Sequence, residues 1–309
     1  MSRYAAYRLA HGYSPAGARS DADRVGEFLA WLEGEGVLEI ERVGAEDVAE
    51  YWRQLRTRPS RKPGGGALAS STVASHVAAV RGVLAMLHHA GELVSDPASG
   101  IRNERQDARV QDERPALTQS EVQALYAVTE TQRERAVLGL GYGCGLRVSE
   151  AVALDVTSVK LYGGSGLGSG SVTVERGKGG RRRIVPLGPG VRLDLADYYY
   201  GERLELEELS GEVQAALMLN GSGRRMRQWT FNKVLGELVG RAISEGRLTA
   251  EVLQKRTSFH GLRHAIATHL LERGLSLEQV RQFLGHAHLE TTEVYTHVSR
   301  ALLDKLVER

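Results

Sequence analysis

From Asn103 to Pro115 the sequence loses its apolar periodicity and carries Arg105, Arg109 and Arg114 among Glu and Asp. Such a stretch cannot bury a face, so it reads as a linker and divides the 309-residue chain into two units of ordinary domain size. The expected division is a helical unit over 1–101, a linker over 102–114 and a longer unit over 115–309. The fold class that follows is mainly α with a small β-sheet.

In the first unit Ser20 precedes a run in which Val25, Phe28, Leu29 and Leu32 share a face, and Gly34 and Gly36 close it. A second helix is expected from about Ala45 to Arg56, with Val48, Trp52 and Leu55 inward. Ser71 reads as the cap of a third, in which Val73, Val77, Val80, Leu84 and Leu87 form one stripe. Between the last two lies a basic, breaker-rich loop from Arg58 to Gly66 that contains Arg61 and Lys62. With Ser75, His76 and Arg81 on the polar side of the third helix, that loop forms a candidate phosphate-facing surface.

The second unit opens on two capping boxes, Thr118 to Glu121 and Thr131 to Glu134. The helix from the second runs into Gly141-Tyr-Gly-Cys-Gly145, whose glycines must break it. Arg147 follows and begins a short helix with Glu150 in reach, either as an anion site at a helix start or as a surface ion pair. Two alternating runs, Ser171 to Glu175 and Arg182 to Leu187, read as strands around a basic turn with Lys178 at its tip. Arg176, Arg181, Arg182 and Arg183 surround Lys178 with like charge, which makes its proton easier to give away. The glycine- and serine-rich stretch from Gly163 to Gly170 reads as a long hairpin connection. Residues 188 to 246 return to helix, and Arg224, Arg225 and Arg227 precede a helix that starts near Thr230, a second candidate set of phosphate contacts.

A net charge of +2 excludes a global basic field, so any nucleic-acid role rests on these local clusters. The single cysteine, Cys144, excludes an internal disulfide and reads as a buried structural thiol. No apolar leader opens the chain and no stretch approaches membrane-spanning length, so a cytoplasmic location without membrane partners is expected.

The chemistry gathers in the last fifth: Ser258-Phe-His-Gly-Leu-Arg-His264, then Phe283-Leu-Gly-His286, then Glu290-Thr-Thr-Glu-Val-Tyr-Thr296. Ser258 caps a helix that carries His260, Arg263 and His264 on neighbouring positions of one surface. A tyrosine with cations and imidazoles is the equipment for attacking a phosphodiester and holding the charge that develops. The His260 and His264 spacing also suits a zinc pair, but the glutamate of a metalloprotease helix is missing and Arg263 would repel the ion, so no metal is expected.

In the order Gly145-Leu-Arg-Val-Ser-Glu150, Arg176-Gly-Lys-Gly-Gly180, His260-Gly-Leu-Arg-His264, Leu284-Gly-His286 and Glu293-Val-Tyr-Thr296, the chain resembles the tyrosine recombinases of the phage-integrase superfamily. In layout it is similar to the two-domain Xer-type members. The resemblance implies a helical core-binding (SAM-like) DNA-binding domain over 1–101 and an α+β catalytic domain over 115–309. It implies Tyr295 as nucleophile, Arg147 and Arg263 on the non-bridging phosphate oxygens, and Lys178 as general acid. His260 would act as acid or base, His286 as a phosphate donor, and Glu150 would orient Arg147. The implied partners are a double-stranded recombination site and a homotetramer on two duplexes, with an accessory protein or second recombinase left open and no cofactor. The apolar stripe after Ser299 would dock on a neighbouring protomer. A catalytically silent DNA-binding or architectural protein and a type IB topoisomerase-like enzyme are the competing readings. The Gly163 to Gly170 connection departs from the compact hairpins of Xer-type members, and no arm-site domain is expected ahead of the first unit.

Overall fold

The computed structural model describes residues 2–60, 66–100, 115–162, 170–175, 182–255 and 257–285. The chain forms two compact units, Met1–Glu113 and Arg114–Arg309. Among the described residues it is mainly helical, with one small sheet in the second unit.

The first unit consists of α1 (Arg3–Ala10), α2 (Pro15–Gly34), α3 (Ala45–Thr57) and α4 (Ser70–His89). α2 starts earlier than Ser20 because Pro15 occupies its first turn, where a missing N–H costs nothing, and Ser14 Oγ accepts from the Gly17 N–H at 3.1 Å. Its buried face is Val25, Phe28 and Leu32, whereas Leu29 is 41% exposed and stands off the core. α4 begins one residue before Ser71, so that serine is a helical residue and not the cap. Val73, Val77, Val80 and Leu84 pack with Phe28, Tyr51 and Leu55 in a single core.

α4 is also long and apolar enough to cross a membrane by length and composition, contrary to the expectation that no stretch would be. The reason is its run of Ala, Val and Leu, and half of that window is buried inside the unit. His76 is likewise on the buried side, 4% exposed, with Nδ1 at 3.5 Å from the Tyr51 hydroxyl. At steps of three and four from Val73 and Val80 it belongs to the packed stripe, and a phosphate-facing position is thereby corrected. Arg81 is half-buried on the same helix, and Arg61 and Lys62 lie outside the described residues.

The second unit runs α5 (Gln119–Ala127), α6 (Gln132–Leu138), a wide turn Gly139–Gly143, α7 (Val148–Ala153), β1 (Val159–Lys160), β2 (Gly170–Val174), β3 (Arg183–Leu187), α8 (Pro189–Tyr200), α9 (Glu202–Ser210), α10 (Gln228–Ser244), α11 (Phe259–Glu272) and α12 (Leu277–Leu284). Both capping boxes form: the Glu121 and Glu134 N–H groups donate to Thr118 and Thr131 Oγ1 at 3.2 and 3.1 Å. The sheet is antiparallel in the order β1-β2-β3, with Val172 opposite both Val159 and Val185. β1 has only two residues, too few to show alternation. Of the expected glycine-rich hairpin connection, residues 163–169 lie outside the described residues.

One core gathers around these elements, and several polar groups inside it are paired. Tyr198 Oη accepts from the Leu219 N–H at 2.9 Å, which explains one of the three consecutive tyrosines as structural. Cys144 is buried, and burial pushes its thiol up to about 12, so it is an inert core residue. His269 pairs through Nδ1 with the Tyr142 hydroxyl at 2.8 Å and is hydrogen-bonded to the Leu117 backbone. Burial lowers its pKa, so the folded state holds the neutral ring.

The unfolded chain therefore binds more protons than the folded one once pH drops below the ordinary histidine value of about 6.5, and stability falls in that direction. His269→Leu leaves the Tyr142 hydroxyl and the Leu117 backbone group without their partner, an expected loss of about 1–3 kcal/mol. Urea unfolding at pH 7.5 measures that loss. A pH series down to 5.5 should show the variant with a shallower acid decline than the parent.

Candidate active site

The site is built where α7, β3, α11 and the end of α12 meet. Gly145 leads into α7 with φ +57°, and a Cβ there would stand 2.8 Å from Leu284, so the chain can turn this closely only with glycine. Arg147 is the residue that starts α7. Its backbone N–H donates to Glu150 Oε2 at 2.8 Å, and its Nη1 donates to Oε1 at 2.9 Å.

Glu150 is the centre of the arrangement. Arg183 reaches it from β3 with a parallel pair of hydrogen bonds, Nη1 to Oε1 and Nη2 to Oε2, both 2.7 Å. The carboxylate side chain is 3% exposed, that of Arg183 6% and that of Arg147 20%, so Arg147 alone among the three has a substantial open surface. Burial by itself would raise the Glu150 carboxyl, but the hydrogen bonds and charge of Arg183, together with the Arg147 donors, overcome it and hold the group at about 2.

α11 brings the second arginine. Ser258 Oγ accepts from the Gly261 N–H at 3.2 Å and sets the first turn, from which Arg263 points into the core. Arg263 Nη1 donates to the Gly145 carbonyl and Nη2 to the Leu284 carbonyl, the latter at 2.7 Å, and Nη1 lies 3.9 Å from Glu150 Oε2. The guanidinium thus ties together the turn before Arg147 and the end of α12. Burial, and then the charge of Arg147, pull it down to about 9, so it remains a cation at neutral pH.

α12 opens on its capping box, with the Gln279 N–H donating to Ser276 Oγ at 3.2 Å, and ends at Gly285 with φ +69°. Of the other expected residues, His260 is exposed on the first turn of α11, and His264 is half-buried one turn on. Lys178, His286 and Tyr295 lie outside the described residues. Among the expected site residues, the structure therefore brings together Arg147, Glu150 and Arg263, and adds Arg183.

Arg183 was expected among the like charges around Lys178; its place against Glu150 corrects that. The alternation of β3 carried the signal, because Arg183, Val185 and Leu187 share the buried face while Ile184 is turned out. Arg182, by contrast, is exposed and stands 3.3 Å from Glu175.

Arg224, Arg225 and Arg227 lie along the loop into α10. Arg225 is spent within the protein: it donates to the carbonyls of Val152 at 2.8 Å and Leu154 at 3.1 Å and pairs with Asp155. Its side chain is nevertheless 38% exposed and lines the same concave surface as its neighbours Arg224 and Arg227. Arg224, Arg227 and Trp229 are exposed and line one concave surface with Asn220 and Thr230.

The second unit thus combines a small antiparallel sheet, a set of helices and two arginines, Arg147 and Arg183, held on the buried carboxylate of Glu150. The phage integrase family profile matches residues 115–301, and the chain belongs to that family, the site-specific tyrosine recombinases. It is 32% identical to tyrosine recombinase XerC of Roseiflexus sp. (strain RS-1), over 93% of this chain and 83% of that protein. It is 35% identical to tyrosine recombinase XerD of Mycobacterium tuberculosis, over 87% and 82%. The fold matches XerH site-specific recombinase bound to its difH substrate in a pre-cleavage complex, with TM-score 0.64, 19% identity and coverage of 96% and 81%. It also matches a lambda integrase(75-356) dimer bound to a COC' core site, with TM-score 0.63, 15% identity and coverage of 99% and 93%.

Glu150→Gln removes the carboxylate and leaves two buried guanidiniums uncompensated, an expected loss of about 3–5 kcal/mol by urea unfolding. In the parent chain the stabilisation from this carboxylate is complete above its ordinary value of about 4.3 and disappears as pH falls toward about 2. An acid titration followed by circular dichroism should show that loss in the parent and not in the variant.

Proposed function

We propose that this protein cuts and rejoins DNA at a defined site through a phosphotyrosyl intermediate, with Tyr295 as nucleophile. The observation that supports this best is the convergence of Arg147 and Arg263 on Glu150, since two fixed cations are what a phosphodiester needs as it passes through a pentavalent state. The Tyr295 oxygen attacks phosphorus and the bond to the 5′-oxygen breaks, leaving a 3′-phosphotyrosyl ester and a free 5′-hydroxyl. Lys178 supplies the proton to the departing oxygen, an effect of about 10² to 10⁴ in rate. His260 takes or returns the tyrosine proton, and His286 donates to a phosphate oxygen. Rejoining is the reverse, with an incoming 5′-hydroxyl as attacker.

Because one phosphoester replaces another at each step, the bond energy is kept and the balance requires neither nucleotide hydrolysis nor a divalent ion. The first unit over 1–101 serves as the core-binding DNA domain, and the second, over 115–309, holds the chemistry. Arg224 and Arg227, next to the start of α10, contact DNA phosphates; Arg81 and the loop with Arg61 and Lys62 do so from the first unit. A homotetramer on two duplexes, in the manner of the lambda integrase tetramer bound to a Holliday junction, is the working assembly in the cytoplasm, with the segment after Ser299 docked on a neighbour.

Tyr295→Phe should bind a DNA site selected from a random-sequence pool as tightly as the parent and never form covalent product on a nicked version of it. The parent should trap product equally well with and without EDTA; loss of trapping in EDTA would overturn the mechanism. Arg224→Ala and Arg227→Ala should each weaken binding across sequences and lower the slope of log affinity against log salt by about 1, as measured by fluorescence anisotropy.

A further inference from the structure

We propose that Arg183 is a positioning residue for strand transfer, one that neutralises Glu150 so that the charge of Arg147 is left for the phosphate. The assignment rests on the phosphotyrosyl chemistry proposed above.

Glu150 Oε1 accepts from both Arg147 Nη1, at 2.9 Å, and Arg183 Nη1, at 2.7 Å, while Oε2 accepts from Arg183 Nη2 and the Arg147 N–H. With Arg147 alone, the carboxylate and guanidinium would be a neutral pair and a poor anion receptor. Arg183 changes the count. Three guanidiniums, Arg147, Arg183 and Arg263, face one carboxylate, so the cluster carries two positive charges, matching the dianionic pentavalent state rather than the monoanionic ground state.

Arg183 cannot itself be the phosphate ligand. Its side chain is 6% exposed, both terminal nitrogens are spent on Glu150, and its Nε and Cδ lie directly beneath Gly285. A Cβ on Gly285 would stand 2.5 Å from Arg183 Cδ, so that glycine is what lets the guanidinium pass. Arg183 thereby also supports the residue that precedes His286. Loss of one net positive charge from this cluster, at roughly 6 Å from the phosphorus, slows formation of the extra negative charge by about a hundredfold at an effective dielectric constant near 20.

The test is single-turnover cleavage of a nicked duplex carrying the selected site, with the scissile linkage as either phosphodiester or uncharged methylphosphonate. Circular dichroism and thermal unfolding verify folding. Arg183→Met should cut the phosphodiester about a hundredfold more slowly than the parent while binding it within about threefold. Its deficit should shrink to less than about fivefold on methylphosphonate, whose pentavalent state carries one negative charge instead of two. Arg183→Lys, which keeps the charge, should stay within about tenfold of the parent. Adding Glu150→Gln to Arg183→Met should recover at least about tenfold. Parental rates in Arg183→Met overturn the role. Equal losses on both linkages, with Met and Lys alike and no recovery in the double variant, also overturn it and reduce Arg183 to packing. Failure of the parent itself to trap DNA overturns the phosphotyrosyl reading, and the role of Arg183 with it.

Discussion

A carboxylate out of water must be paid for by donors, and the second unit is arranged around that need at Glu150. Its oxygens collect four hydrogen bonds, two from a strand, one from a helix start and one from the arginine side chain that starts the helix. Each donor fixes the element that carries it: α7 cannot begin elsewhere, and β3 must present Arg183 inward. Arg263 closes the frame from α11 by holding the carbonyls of Gly145 and Leu284. Charges that would be costly singly become a rigid lattice when assembled.

Rigidity of this kind suits a protein that must stabilise charge without reorganising at the moment of reaction. Arg147 is held at its backbone and at one terminal nitrogen while part of its surface stays open. It is held in this way without DNA. The second unit commits its buried ionic groups to this lattice and to similar pairs, such as Arg135 with Asp194 and Arg241 with Glu134, which brace the helices behind it.

Much of this was legible because it depends on short-range rules. The capping boxes at Thr118 and Thr131 and the two longer strands each announce themselves within four to six residues. What escaped depends on partners distant in sequence. Glu150 and Arg183 are 33 residues apart, and nothing nearby marks the arginine as internal except the parity of β3. Arg225 looked like one of three equivalent cations until the carbonyls of Val152 and Leu154 claimed it. His76 was judged by its chemistry, polar and therefore outward, when its helical spacing to Val73 and Val80 already put it within the stripe. The family resemblance supplied roles for Lys178, His286 and Tyr295, but residue spacing alone could not.

Gly285 carries a consequence for anyone diversifying this chain. It adopts φ +69° and sits on the Arg183 side chain, so a side chain there is excluded twice, by backbone conformation and by volume. In a randomised library selected only for recombination, position 285 would emerge as invariant. Ranked by invariance, a glycine with no reactive atom would stand beside the arginines of the site, although its part is only to make room.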